Sequence, residues 1–419
     1  MRLLFIHQNF PGQFKHLAPA LVEAGHEVAA LTCRVKKPTI WKGVRIVPYA
    51  IDGGSSQQIT PWLSDFETKL IRGVSCWKAA MGLKKRGYKP DAIVAHHGWG
   101  ESLFLKDVWP TAPLGLYCEL YHLTTPEFTN FDPEFPQRSP DADPLRLRLK
   151  NLNNRLHEEV MDAGLSPTRF QAQTFPDHWQ DRITIGHDGV DTALVQPKAD
   201  AVLDIGDGVT LTRNDEVITF INRNLEPYRG YHVFMRALPA LLKRRPNAQV
   251  VLIGGDEVSY GAKPPKGQSW KQIFIDEVRG RIPTPHWNRV HFLGRVPYEK
   301  YLAMLQVSSA HVYLTYPFVL SWSLLESMAA GCAVVASDTA PVREAIEDGK
   351  TGVMVDFFDG DGLVDQVDRV LSDRALAQRL GSTARDHVIA NYDLQSTCLP
   401  KHVGWVEALT QLEPRPPAD

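Results

Sequence analysis

Short apolar runs that alternate with longer segments of helical periodicity restrict this chain to few folds. In the first half the runs are LLFI (3–6), EVAALT (27–32), AIVAHH (92–97) and PLGLYC (113–118). Apolar strands of this length between helices are typical of a parallel sheet covered on both faces. The alternation restarts after residue 216, with VITFIN (217–222), AQVVLIGG (248–255), RVHFLG (289–294), HVYLTY (311–316), CAVVAS (332–337) and TGVMVD (351–356). The sequence therefore predicts an α/β protein with two doubly wound domains.

The restart of the pattern also predicts the domain boundaries. A length of 419 residues favours two domains of roughly 200 residues each. A Gly- and Asp-rich stretch with weak periodicity separates the two halves, as an interdomain linker would. We expect an N-terminal domain, a linker, a C-terminal domain, and a last helix with a polar tail that crosses back to the first domain, at 1–190, 191–216, 217–393 and 394–419.

Composition excludes several classes of protein. The formal net charge of -2 gives no electrostatic reason to expect nucleic acid as a partner. Five cysteines without CxxC spacing argue against a disulfide framework or a structural zinc site. The N-terminal MRLLFIHQNFPG has too short an apolar run for a signal peptide or a membrane span, and it is predicted to be the first strand. These features predict a cytoplasmic protein with reduced thiols.

Candidate ligand-binding residues follow two strands of the first domain. In HQNFPGQFKHLAPAL a Pro-Gly turn separates strand from helix, and Gly12 would let the backbone approach a ligand. In VAHHGWGES, His96 and His97 lie at the carboxyl end of a strand, which is the ligand side of a parallel sheet. Either histidine could bind a substrate hydroxyl or exchange a proton. Because adjacent strand residues point to opposite faces, we expect one of them to be structural.

Two arginines follow the first strand of the second domain. In FINRNLEPYRGYHVFMRALPAL they precede a predicted helix, six residues apart, as Arg223 and Arg229. A guanidinium offers a planar fork of donors that suits phosphate and stays charged, so the pair suggests a diphosphate site. The alternative is that both arginines form surface pairs with neighbours such as Glu226. On the sequence of this segment alone, that alternative is favoured about two to one, because clustered charges mark sites only probabilistically.

The stretch TYPFVLSWSLLESMAAG (315–331) predicts the end of a strand and a short helix. Ser321 or Ser323 is expected to cap the helix, with Gly331 beyond its end. Such a helix start offers free backbone N–H groups to an anion. Glu326 lies one turn into the helix among apolar residues and calls for a partner. Ribose hydroxyls are one candidate, and a neighbouring backbone group or an arginine is another.

Two segments of the first domain suggest further contacts. The long irregular connection 117–144 is rich in Tyr, Phe and His, which favours function over disorder, and we interpret it as a candidate acceptor wall. In LRLRLKNLNNRLHEEV, four leucines form one helical stripe with basic residues beside it. This helix either touches the inner face of a membrane or packs its leucines inward.

Several blocks together resemble the retaining glycosyltransferases of family four, also called group 1, which have the GT-B fold. The blocks are HQNFPGQFKHLAPALVEAGHEV, NRNLEPYRG, LIGGDE, VHFLGRVPYEKY and SLLESMAAGCAVVASDTAPVREAIEDGKTGVMVD. The resemblance covers most of the chain and is most specific at 217–356. It implies two Rossmann-like domains facing across a cleft, with a nucleotide sugar held mainly by the C-terminal one.

The resemblance also implies roles for single residues. Arg223 and Arg229 match the basic pair that binds the donor diphosphate, Glu326 matches the ribose-binding glutamate, and His97 matches a histidine that contacts the transferred sugar. Further matches are Gly12 near the diphosphate and Arg295 and Val296 beside the nucleotide base. Ser321, Trp322 and Ser323 at the helix start complete the predicted donor site, although Ser321 and Trp322 stand where relatives have Gly and Leu.

One position departs from the family pattern. Phe318 stands eight positions before Glu326, where relatives carry a sugar-binding glutamate. The grip on the donor sugar is therefore the part of the site that the resemblance specifies least.

The resemblance implies a retaining transferase without a protein nucleophile, which moves a sugar from a UDP- or GDP-linked donor to a hydroxyl or thiol. The acceptor would be a sugar, a lipid-linked molecule or a small molecule. No metal site is convincing, since DAD (141–143) lies in a Pro-rich loop and DGD (359–361) has the pattern of a helix start. We therefore expect no metal and no cofactor beyond the donor. A nucleotide-sugar 2-epimerase of the same fold and a non-catalytic sugar-nucleotide-binding subunit are the alternatives.

Overall fold

The structure is a computed structural model, and it describes residues 1–135, 139, 141–206 and 208–415. The described residues form two compact units. Unit 1 comprises those within 1–130, 136–189 and 395–419, and unit 2 comprises those within 131–135 and 190–394.

Unit 1 contains a largely parallel sheet. Its strands are β1 (Arg2–Ile6), β2 (Glu27–Thr32), β3 (Thr39–Trp41), β4 (Val44–Pro48), β5 (Ala92–His96), β6 (Leu114–Tyr117), β7 (Ala163–Ser166) and β8 (Ile183–Ile185). Their spatial order is β3-β4-β2-β1-β5-β6-β7-β8, and among the described pairs only β3 and β4 are antiparallel. The helices are α1 (Leu17–Glu23), α2 (Ser64–Lys85), α3 (Leu105–Val108), α4 (Pro126–Thr129), α5 (Asp143–Lys150), α6 (Leu152–Val160), α7 (Arg169–Gln173) and α8 (Asp177–Gln180).

Unit 2 contains an all-parallel sheet and a separate hairpin. The strands are β9 (Val202–Gly206), β10 (Val209–Thr212), β11 (Val217–Asn224), β12 (Gln249–Gly255), β13 (Val290–Gly294), β14 (Ala310–Tyr313), β15 (Val334–Ser337) and β16 (Val353–Val355). The sheet order is β13-β12-β11-β14-β15-β16, while β9 and β10 form the antiparallel hairpin. The helices are α9 (Tyr231–Arg244), α10 (Trp270–Arg279), α11 (Thr284–Trp287), α12 (Tyr298–Val307), α13 (Trp322–Ala329), α14 (Ala340–Arg343), α15 (Gly360–Ser372) and α16 (Arg374–Tyr392).

Both parallel sheets are buried on both faces. The central strands β1, β5, β14 and β15 are buried along almost their whole length, and apolar residues from both of their faces enter two separate core clusters in each unit. Every apolar run that the sequence analysis assigned to a strand overlaps one of these strands. The predicted fold class, two α/β units built on parallel sheets, is therefore confirmed.

The unit boundaries differ from the predicted ones in two places. The predicted linker at 191–216 belongs to unit 2 and contains the hairpin, because its apolar residues Val195, Leu203 and Leu211 are buried in the core of that unit. Residues 131–135, predicted to lie in the N-terminal domain, also belong to unit 2. The last helix, α17 (Leu399–Leu409), packs on α1, β5 and β6 of unit 1.

Residues 131–135 are attached to unit 2 by ionic and aromatic contacts. The Asp132 carboxylate lies 3.0 Å from His232 Nε2 and accepts a hydrogen bond from the Tyr316 hydroxyl at 2.6 Å. Glu134 pairs with Arg236 through two hydrogen bonds of 2.5 and 2.7 Å. These contacts divide the predicted long connection 117–144 between the two units.

Candidate functional site

A cavity of about 680 Å³ lies at the carboxyl ends of β11, β12 and β13 in unit 2. This is the edge at which open parallel sheets bind ligands. The residues that line it come from these strand ends, from the loops that follow them and from the start of α13. They are Ile221, Asn222, Arg223, Asn224, Ile253, Gly254, Glu257, Val258, Ser259, Arg295, Val296, Tyr301, Ser321 and Ser323.

Arg223 presents an unused guanidinium to this cavity. It is exposed near the end of β11, and in the part of the chain that the structure describes it has no hydrogen bond or ion pair. The alternative partner Glu226 is fully buried and accepts hydrogen bonds from the backbone amides of Ser259 and Gly261 at 3.0 and 3.2 Å. The predicted surface pair with Glu226 is therefore wrong, and Arg223 has five free N–H donors for a ligand.

Arg229 is held differently from Arg223. It is only 5% exposed, and its guanidinium donates to Thr315 Oγ1 at 2.7 Å and to the Val319 carbonyl at 3.0 Å. It lies at the end of a 3-10 turn before Gly230, whose φ of +69° favours glycine. Arg229 is not part of the cavity wall. The structure thus places one arginine of the predicted pair in the cavity and packs the other behind the loop that precedes α13.

The start of α13 forms part of the cavity wall. Ser321 is the N-cap residue, and its hydroxyl accepts a weak hydrogen bond from the Ser323 amide at 3.4 Å. Ser321 and Ser323 line the cavity, whereas Trp322 is 38% exposed and does not. The prediction of a capping serine at this position is confirmed, and the positive end of the helix dipole lies at the cavity.

Arg295 joins the loops on the opposite side of the cavity. Its guanidinium donates to Asn224 Oδ1 at 3.1 Å and to Glu257 at 2.5 Å. Asn224 in turn donates to the Ser259 hydroxyl at 2.7 Å. The resemblance predicts Arg295 and Val296 at this site but not these polar partners. The signal was available, since Asn224 ends one strand and Glu257 and Ser259 directly follow another.

Glu326 has two partners that the sequence analysis did not name. The Tyr298 hydroxyl donates to one carboxylate oxygen at 2.7 Å, and the Tyr301 hydroxyl donates to the other at 2.5 Å. Neither the backbone nor an arginine supplies these hydrogen bonds. Of the two rings, that of Tyr301 lines the cavity.

Phe318 lies in an aromatic cluster beside Arg229. Its ring centroid is 5.0 Å from that of Tyr228 and 4.9 Å from that of Tyr260. The Arg229 guanidinium carbon lies 5.6 Å from the Phe318 ring centroid and 5.2 Å from that of Tyr260. Cation–π attraction of this kind adds to the hydrogen bonds that fix Arg229. The position that departs from the family pattern is therefore apolar and packs against a buried cation.

Unit 1 carries the remaining predicted site residues in a tightly packed cluster. Gly12 has φ of +47°, and a Cβ added there would lie 2.3 Å from the His7 ring, so only glycine fits. The His7 Nε2–H also donates a 2.8 Å hydrogen bond to Gln13 Oε1. The absence of a side chain at Gly12 therefore makes room for the His7 ring, whereas the sequence predicted that it would let the backbone approach a ligand.

His97 is buried and already bonded. It is 3% exposed, and its Nε2 accepts a hydrogen bond from the Glu119 amide at 3.2 Å. Burial lowers the pKa of His97 well below its ordinary value, so the ring is a neutral acceptor. His96 is equally buried, stacks on Trp99 at 3.9 Å and lies 3.6 Å from the Glu119 carboxylate. Both histidines are therefore part of the packing, whereas one was predicted to face a ligand.

Metal-ligating side chains meet at one place among the described residues, at Asp132, Glu134 and His232. Tyr316 and Arg236 already bind the two carboxylates. Of the acidic motifs considered in the sequence, the one at 359–361 starts α15, with Asp359 accepting from the Gly362 amide at 2.7 Å as predicted. These contacts favour a structural role for Asp132, in which it holds residues 131–135 against the rest of unit 2.

Comparison with known proteins identifies glycosyltransferase family models that match both halves of the chain. The family model described as "Glycosyl transferase family 4 group" matches residues 24–195, and the model "Glycosyl transferases group 1" matches residues 208–387. The chain is similar to the D-inositol 3-phosphate glycosyltransferase of Corynebacterium efficiens, with 26% identity over 55% of this chain and 50% of that protein. The chain thus spans about half the length of this curated relative.

Solved structures share the fold. Sucrose-phosphate synthase from Thermosynechococcus elongatus matches 98% of this chain and 100% of its own, with a TM-score of 0.72 and 18% identity. Anabaena HepE, solved in complex with UDP-glucose, matches 97% of this chain and 100% of its own, with a TM-score of 0.64 and 14% identity. In the described part of this chain, none of the helices combines the length and apolar character needed to cross a bilayer.

Proposed function

We propose that this chain, which belongs to the group 1 glycosyltransferases, transfers a sugar from a UDP- or GDP-linked donor to a hydroxyl or thiol acceptor with retention of configuration. The observation that carries the proposal is the cavity in unit 2, where the free guanidinium of Arg223 and the start of α13 meet. This combination suits a diphosphate, because both groups offer N–H donors and positive potential. The solved complex of HepE with UDP-glucose supports the choice of donor class.

The proposed reaction requires that the cavity stabilise the diphosphate leaving group. When the bond from the sugar C1 to the phosphate oxygen breaks, negative charge grows on that oxygen. A hydrogen bond from a charged donor contributes about 1.5–3 kcal/mol, and a helix N-terminus adds up to about 2 kcal/mol. Arg223 and the α13 start therefore supply several kcal/mol in total, which supports a reaction that needs no metal.

Retention is proposed to proceed by attack on the face that the diphosphate leaves. The acceptor oxygen or sulfur bonds to C1, the C1–phosphate bond breaks, and the acceptor proton passes to the departing phosphate oxygen. The cavity wall favours this route over a protein nucleophile, because its one carboxylate, Glu257, is paired with Arg295 at 2.5 Å. A covalent intermediate would require a free carboxylate there.

The test starts with donor binding. UDP, GDP and ADP, with and without attached sugars, are screened by thermal shift, and the best donor is then offered to a panel of acceptors. We expect UDP or GDP to raise the melting temperature and one sugar nucleotide to yield a product with retained anomeric configuration by NMR. An inverted product overturns the proposed mechanism. Conversion of the donor without an acceptor identifies a 2-epimerase, and binding without turnover identifies a binding subunit.

A peripheral membrane contact is part of the proposal for the acceptor. In α5 and α6 two of the four leucines of the predicted stripe do not pack inward, since Leu145 and Leu156 are 43% and 41% exposed, while Leu149 and Leu152 are partly buried. The buried face of α6 is polar instead and includes Asn153 and His157. Co-sedimentation with anionic liposomes at low and high salt tests the contact, which predicts binding that salt weakens.

A further inference from the structure

Two phenols from one helix turn cap both oxygens of the Glu326 carboxylate. Tyr298 and Tyr301 are three residues apart in the first turn of α12, so their side chains lie on the same face. Their rings stack with centroids 5.5 Å apart and planes at 23°. Burial and the adjacent Glu326 carboxylate raise the pKa of both phenols, which therefore remain hydrogen-bond donors at neutral pH.

The two tyrosines differ in how easily they can leave the carboxylate. Tyr298 is 44% exposed, so its hydroxyl can turn into water at small cost. Tyr301 is half-buried and contributes to the cavity wall, so its hydroxyl has fewer alternative partners. The hydrogen bond from Tyr298 is therefore easily broken, whereas the one from Tyr301 to the other carboxylate oxygen is more firmly held.

A ribose diol offers the same pair of O–H donors as the two phenols. A diol that binds the carboxylate oxygen held by Tyr298 competes with that phenol, while Tyr301 keeps the other oxygen. We propose that Tyr298 is a removable cap on a ribose-binding Glu326, and that Tyr301, whose side chain lines the cavity, is a positioning residue that holds the other carboxylate oxygen. This inference rests on the proposed donor class and adds how the nucleoside half of the donor enters.

The cap has a measurable consequence. A site that must first be uncapped binds with an apparent affinity reduced by the fraction that is open. Removing the Tyr298 hydroxyl should open the site, whereas removing the Tyr301 hydroxyl should leave the carboxylate free to rotate. Loss of the hydroxyl is thus expected to tighten nucleotide binding at Tyr298 and to weaken it at Tyr301.

The experiment measures dissociation constants by calorimetry for UDP and GDP and for their 2′,3′-dideoxy forms. We expect Tyr298→Phe to tighten binding of the natural nucleotide about 5-fold and Tyr301→Phe to weaken it about 5-fold, since such a factor corresponds to the net contribution of about one hydrogen bond. Neither variant should shift the affinity for the dideoxy form by more than about 2-fold, because that form has no diol to compete with the phenol.

Tyr231→Phe is the matched control. It also loses one hydrogen bond, from its hydroxyl to the Lys271 carbonyl at 3.2 Å, but it lies in α9 outside the cavity wall. We expect it to leave nucleotide affinity unchanged. Melting curves without nucleotide establish that all variants fold.

The outcomes separate the inference from the proposed function. Unchanged or weaker binding of UDP and GDP by Tyr298→Phe overturns the cap, and an equal gain for the dideoxy nucleotide overturns the assignment to the diol. Tighter binding by Tyr301→Phe overturns its positioning role. If the wild type binds neither UDP nor GDP, the proposed donor class fails and the inference fails with it.

Discussion

The carboxyl ends of the central strands carry opposite chemistry in the two units. In unit 1, His7 follows β1, His96 ends β5 and His97 follows it, and all three are at most 3% exposed. In unit 2, the corresponding edge at the end of β11 presents the exposed Arg223 to a cavity of about 680 Å³. The same topological position is thus filled by buried imidazole rings in one unit and left open with a positive charge in the other.

This difference indicates which unit binds the anionic part of a ligand. The histidines of unit 1 bond to neighbouring groups, and burial holds the pKa of His7 at about 3, so that ring carries no positive charge at neutral pH. Arg223 keeps its charge at any physiological pH and has no partner among the described residues. A diphosphate therefore gains more from unit 2. Four predictions test the contrast.

The largest expected effect is on stability in acid. Five histidines of unit 1 have a pKa lowered by burial, against three in the described part of unit 2, of which only His311 is fully buried; they are His7, His97, His122, His157 and His187, compared with His291, His311 and His387. Such rings are neutral in the folded protein, and below pH about 6.5 they are protonated only after unfolding. The unfolded state therefore binds more protons, and the free energy of unfolding decreases as the pH is lowered. Each can contribute up to about 1.4 kcal/mol per pH unit.

Hydrogen exchange measured at pH 7 and pH 5 checks this prediction. Unit 1 should lose several kcal/mol of protection and unit 2 clearly less. His157→Asn should reduce the loss in unit 1, because burial holds the pKa of His157 at about 4. Equal losses in both units would contradict the assignment of neutral, buried rings to unit 1.

The next largest effect is expected on replacing Arg223, the cation at the cavity that is unpaired among the described residues. Arg223→Ala should weaken nucleoside diphosphate binding about 30-fold, which corresponds to about 2 kcal/mol for one charge-assisted contact. It should leave the melting temperature unchanged, since the side chain is exposed. Arg281→Ala removes another exposed arginine of unit 2 outside the cavity wall and should change neither quantity. Comparable weakening by both variants would mean that only the overall charge matters.

A smaller effect is expected at Phe318. Phe318→Glu introduces a carboxylate beside Arg229, whose guanidinium carbon lies 5.6 Å from the present ring. A carboxylate can accept sugar hydroxyls, so the variant should change the affinity for the sugar nucleotide about 5-fold and that for the free nucleotide less than about 2-fold. Phe318→Leu keeps the position apolar and is the control. Equal losses for both ligands would refute a role in handling the sugar.

Sequence alone predicted the sheets of both units because buried parallel strands are continuous apolar runs, which local composition reveals. It missed β3, β4, β7 and β8 at the edge and far side of the first sheet. These four strands span 39–41, 44–48, 163–166 and 183–185, and they are short or carry polar residues. It also missed the hairpin in the predicted linker, since two strands of five and four residues give a weak periodicity.

The site was predictable only where its geometry is local. Ser321 as the N-cap depends on neighbours in sequence, and so does the position of Arg223 at a strand end. The bonds from Tyr298 to Glu326 and from Arg229 to Val319 join residues 28 and 90 positions apart. Such pairs depend on how loops from different strands meet, which neither spacing nor composition of a single segment encodes.

The smallest effect compares two helix starts within unit 2. Ser321→Ala and Ser269→Ala each remove an N-cap hydroxyl, the first at the cavity and the second at the start of α10 outside its wall. Both should lower stability by about 0.5–1 kcal/mol in thermal unfolding, because each leaves an amide without its acceptor. Only Ser321→Ala should also weaken nucleoside diphosphate binding, by about 2- to 3-fold, since its hydroxyl lies in the cavity wall. A binding loss for Ser269→Ala as well would show that general softening of unit 2, and not the local helix start, controls affinity.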